Sequence, residues 1–143
     1  MIVKDALPPR FVVVEREASL VDVAMLLDQA DAEVAAVVDP RYSPAAIIGD
    51  RDIRQAIADG RDLTTTPAFE YVTHEARRVA LGDDLDEAIV QMIVAGFRHI
   101  MVVEDGQVLG VIAEADILRA VMRRGVPVIR VMGRSVDVPA AAR

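Results

Sequence analysis

The chain contains two copies of one short pattern, in which an apolar strand runs through a small residue into an acidic helix start. The copies are residues 45–53 (AAIIGDRDI) and 109–117 (LGVIAEADI). Their equivalent acids, Asp52 and Asp116, stand 64 positions apart (116 − 52) in a chain of 143 residues. This spacing predicts a tandem duplication. Each half is too short to bury its own sheet well, so the two halves are expected to pack against each other.

Apolar runs and helical spacing predict the order β-α-β-β-α in each half. The first half has predicted strands at 11–14, 34–38 and 46–48, a helix after Ser19 and a helix over 52–58 closed by Gly60. The second half has predicted strands at 78–81, 100–103 and 108–112, a helix after Asp84 and a helix over 116–123 closed by Gly125. Ser19 and Asp84 are typical helix N-caps, and Asp105-Gly106 indicates a two-residue hairpin turn. After prolines, residues 67–72 and 127–132 are expected to be extended.

Composition excludes several classes of protein. Acidic residues outnumber basic ones by 23 to 16, which argues against a nucleic-acid partner. The short basic cluster Arg119, Arg123 and Arg124 is interpreted as a solvated helix end. The absence of Cys excludes thiolate chemistry, and the two histidines show no metal-ligand spacing. Without an apolar run of about 20 residues or a secretory leader, we expect a cytoplasmic protein with no membrane partner.

Three segments carry a resemblance to a known family: residues 96–103 (GFRHIMVV), 110–117 (GVIAEADI) and 47–53 (IIGDRDI). Over residues 1–132 the chain resembles a tandem pair of CBS domains, the arrangement often called a Bateman module. The resemblance implies an α/β (α+β) fold of two β-α-β-β-α repeats related by pseudo-twofold symmetry. Repeat 1 is expected at 1–66, repeat 2 at 67–132 and a C-terminal tail at 133–143. The tail is expected to be loosely ordered, or to pair its strand-like 135–138 with a neighbour.

The resemblance also implies a function. CBS pairs bind AMP, ADP, ATP or related adenosyl compounds in clefts between their sheets, and they usually dimerise. We therefore expect a non-catalytic regulatory module that requires no cofactor, forms a homodimer and signals to an effector protein that the sequence does not identify. Since the chain leaves no room for an effector domain, it is expected to be a stand-alone pair.

The resemblance places the ribose of the ligand on Asp52 and Asp116. A carboxylate accepts hydrogen bonds from both ribose hydroxyls, which suits this position. The alternative is that both are ordinary helix-start acids with no ligand. The family commonly has Thr or Ser a few residues earlier, where this chain has Gly49 and Ala113. Either backbone groups and arginines hold the nucleotide, or one or both clefts are weak or empty.

Further site residues follow from the same resemblance. Arg51 is expected to bind phosphate in the first cleft, where the second copy has Ala115, while Asp50 and Glu114 add negative charge. Arg98 and His99 are expected to line the second cleft, or to be a surface pair at a strand start. The adenine is expected to contact edges of otherwise core side chains: Val14, Val34, Ala35, Ala36 and Ile48 in one copy, and Val79, Ala80, Ile100, Met101 and Ile112 in the other.

Two other functions compete with the sensor. The first is a dimeric interaction scaffold with vestigial clefts, which the residues at positions 49 and 113 favour. The second is an enzyme, which ranks low because no Ser/His/Asp set is discernible, and a nucleotide hydrolase would need a metal or a water-activating base.

Overall fold

The computed structural model describes residues 1–73 and 76–123 with their side chains, and the backbone of residues 129–131 and 134–136. Both halves have the predicted order β-α-β-β-α. The helices are α1 (Leu20–Ala30), α2 (Asp50–Ala58), α3 (Leu85–Ala95) and α4 (Glu114–Arg123). The strands are β1 (Val12–Val14), β2 (Val34–Val38), β3 (Ala45–Gly49), β4 (Arg77–Val79), β5 (His99–Glu104), β6 (Gln107–Ala113), β7 (Ile129–Val131) and β8 (Arg134–Val136).

The two halves build sheets of identical topology. In the order β1-β2-β3, the first pair is parallel and the second antiparallel, and β4-β5-β6 repeats this arrangement. The registers also agree, since Val34 pairs with Gly49 in one sheet and His99 with Ala113 in the other. The structure therefore confirms the duplication and the α/β fold that the sequence predicts.

Local capping explains where several elements begin and turn. The Ser19 hydroxyl accepts a hydrogen bond from the Asp22 N–H at 3.2 Å, and the Asp84 carboxylate accepts one from the Asp86 N–H at 2.8 Å. Asp105 and Gly106 have φ angles of 50° and 75°, which a two-residue hairpin turn of this hand requires. Both N-caps and the hairpin turn are confirmed.

The boundaries of α2 and α4 were predicted wrongly. Both helices begin two residues earlier, at Asp50 and Glu114, so Asp52 and Asp116 occupy the third helical position rather than the first. The physical reason is that each carboxylate folds back onto the backbone N–H of the residue before its helix, Gly49 or Ala113. This contact satisfies a donor that would otherwise be unpaired at the helix start.

One other expectation is corrected. Residues 68–70 form a short 3-10 helix rather than an extended segment, closed by the Tyr71 N–H donating to the Ala68 carbonyl. In the tail, β8 pairs antiparallel with β7 of the same chain, and pairing with a neighbour stays a prediction. The predicted helix end at Gly125 lies outside the described residues.

Each half also lends a segment to the other. Val3 and Ala6, in the 3-10 helix Val3–Ala6, are buried in the core of the second half beside Leu85 and Met92. In return, Ala68 is buried in the core of the first half. The boundary at 66/67 stays a prediction about the chain, while the packing crosses it in both directions.

A third apolar cluster joins the two sheets. Its buried members come from β2, β3, β5 and β6, and they are Ala36, Ala45, Ile47, Met101 and Val111. Arg78 adds a polar link, because its Nη2 donates to the Tyr42 carbonyl at 2.9 Å and to the Ala45 carbonyl at 2.8 Å. The two sheets thus pack against each other through this third cluster, and the groove at its edge is built from both repeats. Among the described residues, no helix is long and apolar enough to cross a membrane.

Candidate functional site

A cleft of about 970 Å³ opens between the two repeats. Repeat 1 contributes the end of β3, the first turn of α2 and the start of β2, and repeat 2 contributes the connection from α3 to β5. Thr73 and Ala76, which precede β4 in repeat 2, also line it. We call this cavity the Asp52 cleft, after the carboxylate at its wall.

Asp52 is half-buried, and its carboxylate is only partly satisfied by the protein. One oxygen, Oδ2, accepts the Gly49 N–H at 2.9 Å, and the other, Oδ1, lies 3.4 Å from the Thr73 hydroxyl. Burial raises the pKa of Asp52 above its ordinary 3.8, against the opposing effects of the Gly49 N–H, the Thr73 hydroxyl and Arg51. A ligand that donates hydrogen bonds would therefore stabilise this carboxylate, because it retains unused acceptor positions on the cleft.

The glycine at position 49 has a steric cause. A Cβ atom there would lie 2.7 Å from the Glu33 carbonyl oxygen and 2.7 Å from Val34 Cγ1. The end of β3 passes so close to the start of β2 that no side chain fits. A serine or threonine at this position would therefore require Glu33 and Val34 to move.

Gly49→Ser is expected to lower the free energy of unfolding by about 1–3 kcal/mol, because its Cβ would force the β2 backbone to move. Ala113→Ser at the equivalent, half-buried position is expected to change it by less than about 0.5 kcal/mol. Chemical denaturation of both variants measures the difference. Equal stability of the two serine variants would show that the strands at position 49 have room to separate.

The charges around the Asp52 cleft are balanced between the two signs. Three guanidinium groups line it, on Arg51, Arg54 and Arg98, and the acids beside Asp52 are Glu33 and Asp50. The N–H groups in the first turn of α2 lie on the same side and favour an anion. This arrangement offers a hydrogen-bond acceptor for hydroxyls next to cations for a phosphate.

Arg98 and His99 both line this first cleft, beside residues of repeat 1, whereas the sequence suggested the second cleft. The reason is that the connection from α3 to β5 reaches across the interface. His99 Nε2 lies 3.4 Å from Glu33 Oε2 of repeat 1. Arg98 also borders a smaller cavity of about 440 Å³ between α3 and α4, together with Glu114.

Burial lowers the pKa of His99 below its ordinary 6.5, although Glu33 and Glu114 act to raise it and Arg98 adds to the lowering. The folded protein therefore binds fewer protons at His99 than the unfolded chain does. By linkage, its contribution to stability is present above pH 6.5 and is lost as the pH falls through the lowered folded-state value.

His99→Gln is expected to remove this pH-dependent part of the stability, so the difference in unfolding free energy between wild type and variant should shrink as the pH falls below 6.5. Glu33→Gln is a matched variant that removes the facing carboxylate, which lowers the pKa of His99 further and widens the sensitive range. Denaturant titrations at a series of pH values measure both. A difference between wild type and His99→Gln that is constant with pH would contradict the account.

The equivalent carboxylate of repeat 2 is in a different situation. Asp116 is buried, its Oδ2 accepts the Ala113 N–H at 2.8 Å, and its Oδ1 is paired with the Arg119 guanidinium. It lines neither the Asp52 cleft nor the smaller cavity. The two predicted ribose sites are therefore unequal, and the open carboxylate is Asp52.

Most of the residues expected to contact adenine are core residues. Val34 lines the Asp52 cleft. Six of them have no exposed surface: Ala35, Ala36, Ile48, Ile100, Met101 and Ile112. Val14 and Val79 are nearly buried, and Ala80 is half-buried outside the cleft lining.

Sequence reasoning missed most of the apolar side chains that line the cleft, which are Ala24, Ile47, Ile53, Ala76 and Phe97. The alternation of side chains along β3 could have identified Ile47, because its neighbour Ile48 points to the opposite face. Nothing in the sequence marks Ala76 or Thr73. Within residues 1–73 and 76–123, no three His, Asp or Glu side chains are grouped to hold a metal ion.

Comparisons with known proteins find similar sequences and folds. Residues 68–123 match the family model of the CBS domain. An uncharacterised 17.7 kDa protein of Acidianus ambivalens is 27% identical over 133 residues, which covers 89% of this chain and 80% of the relative. The CBS domain protein PAE2072 from Pyrobaculum aerophilum, solved in complex with AMP, is 26% identical with a TM-score of 0.72, over 81% of this chain and 89% of its own.

A further solved structure shares the fold. The CBS domain pair of protein MJ0100, in complex with 5-methylthioadenosine and S-adenosyl-L-methionine, has a TM-score of 0.73 at 22% identity. The match covers 83% of this chain and 94% of that one. The likeness therefore extends over both repeats.

Proposed function

We propose that this chain, which matches the CBS-domain model over residues 68–123 and resembles a solved CBS-domain protein over 81% of its length, is a tandem CBS pair that acts as a non-catalytic regulatory module and binds an adenine nucleotide in the Asp52 cleft. The observation that carries the proposal is the half-buried, partly satisfied carboxylate of Asp52, which faces a cavity together with three arginines. The Pyrobaculum aerophilum protein, which was solved with AMP, supports an adenine nucleotide as the ligand.

The cleft offers a distinct partner for each part of such a ligand. The ribose hydroxyls donate to the Asp52 carboxylate, and the phosphate binds the guanidinium groups of Arg51, Arg54 and Arg98. The base packs on the exposed edges of Val34 and Ile47. Since Glu33 and Asp50 oppose additional negative charge, we expect a monophosphate to bind more tightly than a triphosphate.

Binding would act on the arrangement of the two repeats. The ligand contacts groups from both, with Asp52 on one side and Arg98 on the other. A ligand that binds only the assembled pair stabilises it by about 2.7 kcal/mol at a concentration of 100 times Kd. This differential binding is what would transmit the signal to a partner protein.

The homodimer is part of the same proposal. Large apolar side chains are exposed on each of the helices α1 to α4: Met25 and Leu26 on α1, Ile57 on α2, Val90, Ile93 and Val94 on α3, and Leu118 and Met122 on α4. A protein seldom leaves so many large apolar side chains exposed without a partner. A second copy of the chain would cover them.

Thermal unfolding and calorimetric titration of the full chain with AMP, ADP, ATP, S-adenosylmethionine and 5-methylthioadenosine test the proposal. We expect AMP to raise the melting temperature, and 2′-deoxy-AMP, which lacks one ribose hydroxyl, to bind about tenfold more weakly. An unchanged melting profile with every compound at millimolar concentration would contradict the proposal and favour the interaction scaffold.

A further inference from the structure

The two repeats differ in the residue that follows their equivalent aspartates by one helical turn. In α4, Arg119 stands three positions after Asp116 and its guanidinium is paired with the Asp116 carboxylate. In α2, the equivalent residue is Gln55, whose side-chain amide donates to Asp59 at 2.9 Å and leaves Asp52 open. In α4, therefore, an arginine at this position pairs with Asp116, whereas the glutamine at the equivalent position of α2 does not pair with Asp52.

We propose that Arg119 occupies the second ribose position in place of a ligand, so that the chain binds one nucleotide, at Asp52. The inference rests on the proposed function of the Asp52 cleft and adds which of the two equivalent sites is used. It makes Arg119 a positioning residue that sets the number of ligands per chain.

The contacts of Asp116 explain the block. Its side chain is 11% exposed, and both of its oxygens already accept hydrogen bonds, from the Ala113 N–H and from Arg119. A ribose hydroxyl would have to replace the guanidinium, exchanging an ion pair between two opposite charges for a hydrogen bond in which only the carboxylate is charged. At Asp52 a ribose displaces no ion pair among the described residues, because the outer oxygen has the neutral Thr73 hydroxyl at 3.4 Å and Arg51 acts on the carboxylate only through its charge.

The Arg119–Asp116 ion pair can be removed by substitution. The Arg119 side chain is 63% exposed, so replacing it leaves no void in the core. The second site also lacks the cation that Arg51 supplies to the first, since Ala115 stands at the equivalent position. The two repeats therefore differ in two ways that can be tested separately: Arg119 competes for Asp116, and Ala115 replaces the arginine found at position 51.

Calorimetric titration of the full chain with AMP counts the ligands. The wild type is expected to bind one AMP per chain. Arg119→Gln, which introduces the residue found at the equivalent position of repeat 1, is expected to bind two AMP molecules per chain. The affinity for the second AMP should be at least tenfold higher than that of any second AMP bound by the wild type. Adding Asp116→Asn to Arg119→Gln should return the count to one. Ala115→Arg alone is the matched control, and it should stay at one because Asp116 remains paired.

The outcomes separate this inference from the proposed function. Three results would overturn the role of Arg119 while leaving nucleotide binding intact. They are two tight sites in the wild type, one site in an Arg119→Gln protein whose melting temperature is unchanged, and two sites in Ala115→Arg alone. No AMP binding to any of these proteins would overturn the proposed function, and the inference with it.

Discussion

Asp52→Asn is expected to weaken AMP binding by about 10- to 100-fold. The substitution keeps the size of the side chain but removes its charge, and hydrogen bonds to a charged group contribute about 1.5–3 kcal/mol. The remaining amide oxygen still accepts the Gly49 N–H, so the start of α2 is retained. Affinity is therefore expected to fall while the melting temperature of the free protein changes little. Isothermal titration calorimetry with AMP measures the loss.

The control for this variant is Asp86→Asn, which makes the same change at an exposed first-turn acid of α3 that lines neither cavity. AMP affinity of Asp86→Asn should equal that of the wild type within a factor of two. If Asp52→Asn binds AMP as tightly as its control, Asp52 is only a helix-start acid.

Met101→Ala is expected to lower the free energy of unfolding by about 2–5 kcal/mol. Met101 has no exposed surface and lies in the apolar cluster that joins the two sheets, beside Ala36 and Val111. Removing its side chain leaves a cavity between the two sheets, in the cluster that also contains Ile47 of the Asp52 cleft. Urea denaturation, followed by far-ultraviolet circular dichroism, measures the loss.

The matched control is Val38→Ala, which truncates an exposed apolar side chain at the end of β2. We expect it to cost less than about 1 kcal/mol, the full range of strand propensity. Because the sheets pack on each other and each repeat buries a segment of the other, Met101→Ala should still unfold in a single transition at lower urea. Two separate transitions would show that the repeats are independent domains.

Much of the fold could be predicted because its determinants are local. Helical and alternating periodicities predict the order of the elements. Ser19 and Asp84 indicate helix starts, and Asp105-Gly106 indicates the hairpin turn. The starts of α2 and α4 could not be placed, because the third-position carboxylates of Asp52 and Asp116 complete each cap by reaching back to the preceding residue. A carboxylate at a helix start looks the same in sequence whichever of these positions it holds.

The site was harder to predict, because it depends on contacts between the repeats. Arg98 belongs to repeat 2 but lines the same cleft as Asp52 of repeat 1. No local sequence pattern shows that these two residues lie in one cleft. Gly49 looked like a missing hydroxyl, whereas the structure shows a close approach to Glu33 and Val34 that only glycine permits. The difference between Arg119 and Gln55 was visible in sequence but acquires meaning only from the ion pair.

The most direct test of the account is a crystal structure of the full chain grown with saturating AMP. The account predicts AMP between the repeats, with a ribose hydroxyl within about 3 Å of the Asp52 carboxylate and the phosphate against the arginines of the same cleft. AMP bound elsewhere, or a cleft that stays empty at saturating ligand, would contradict it.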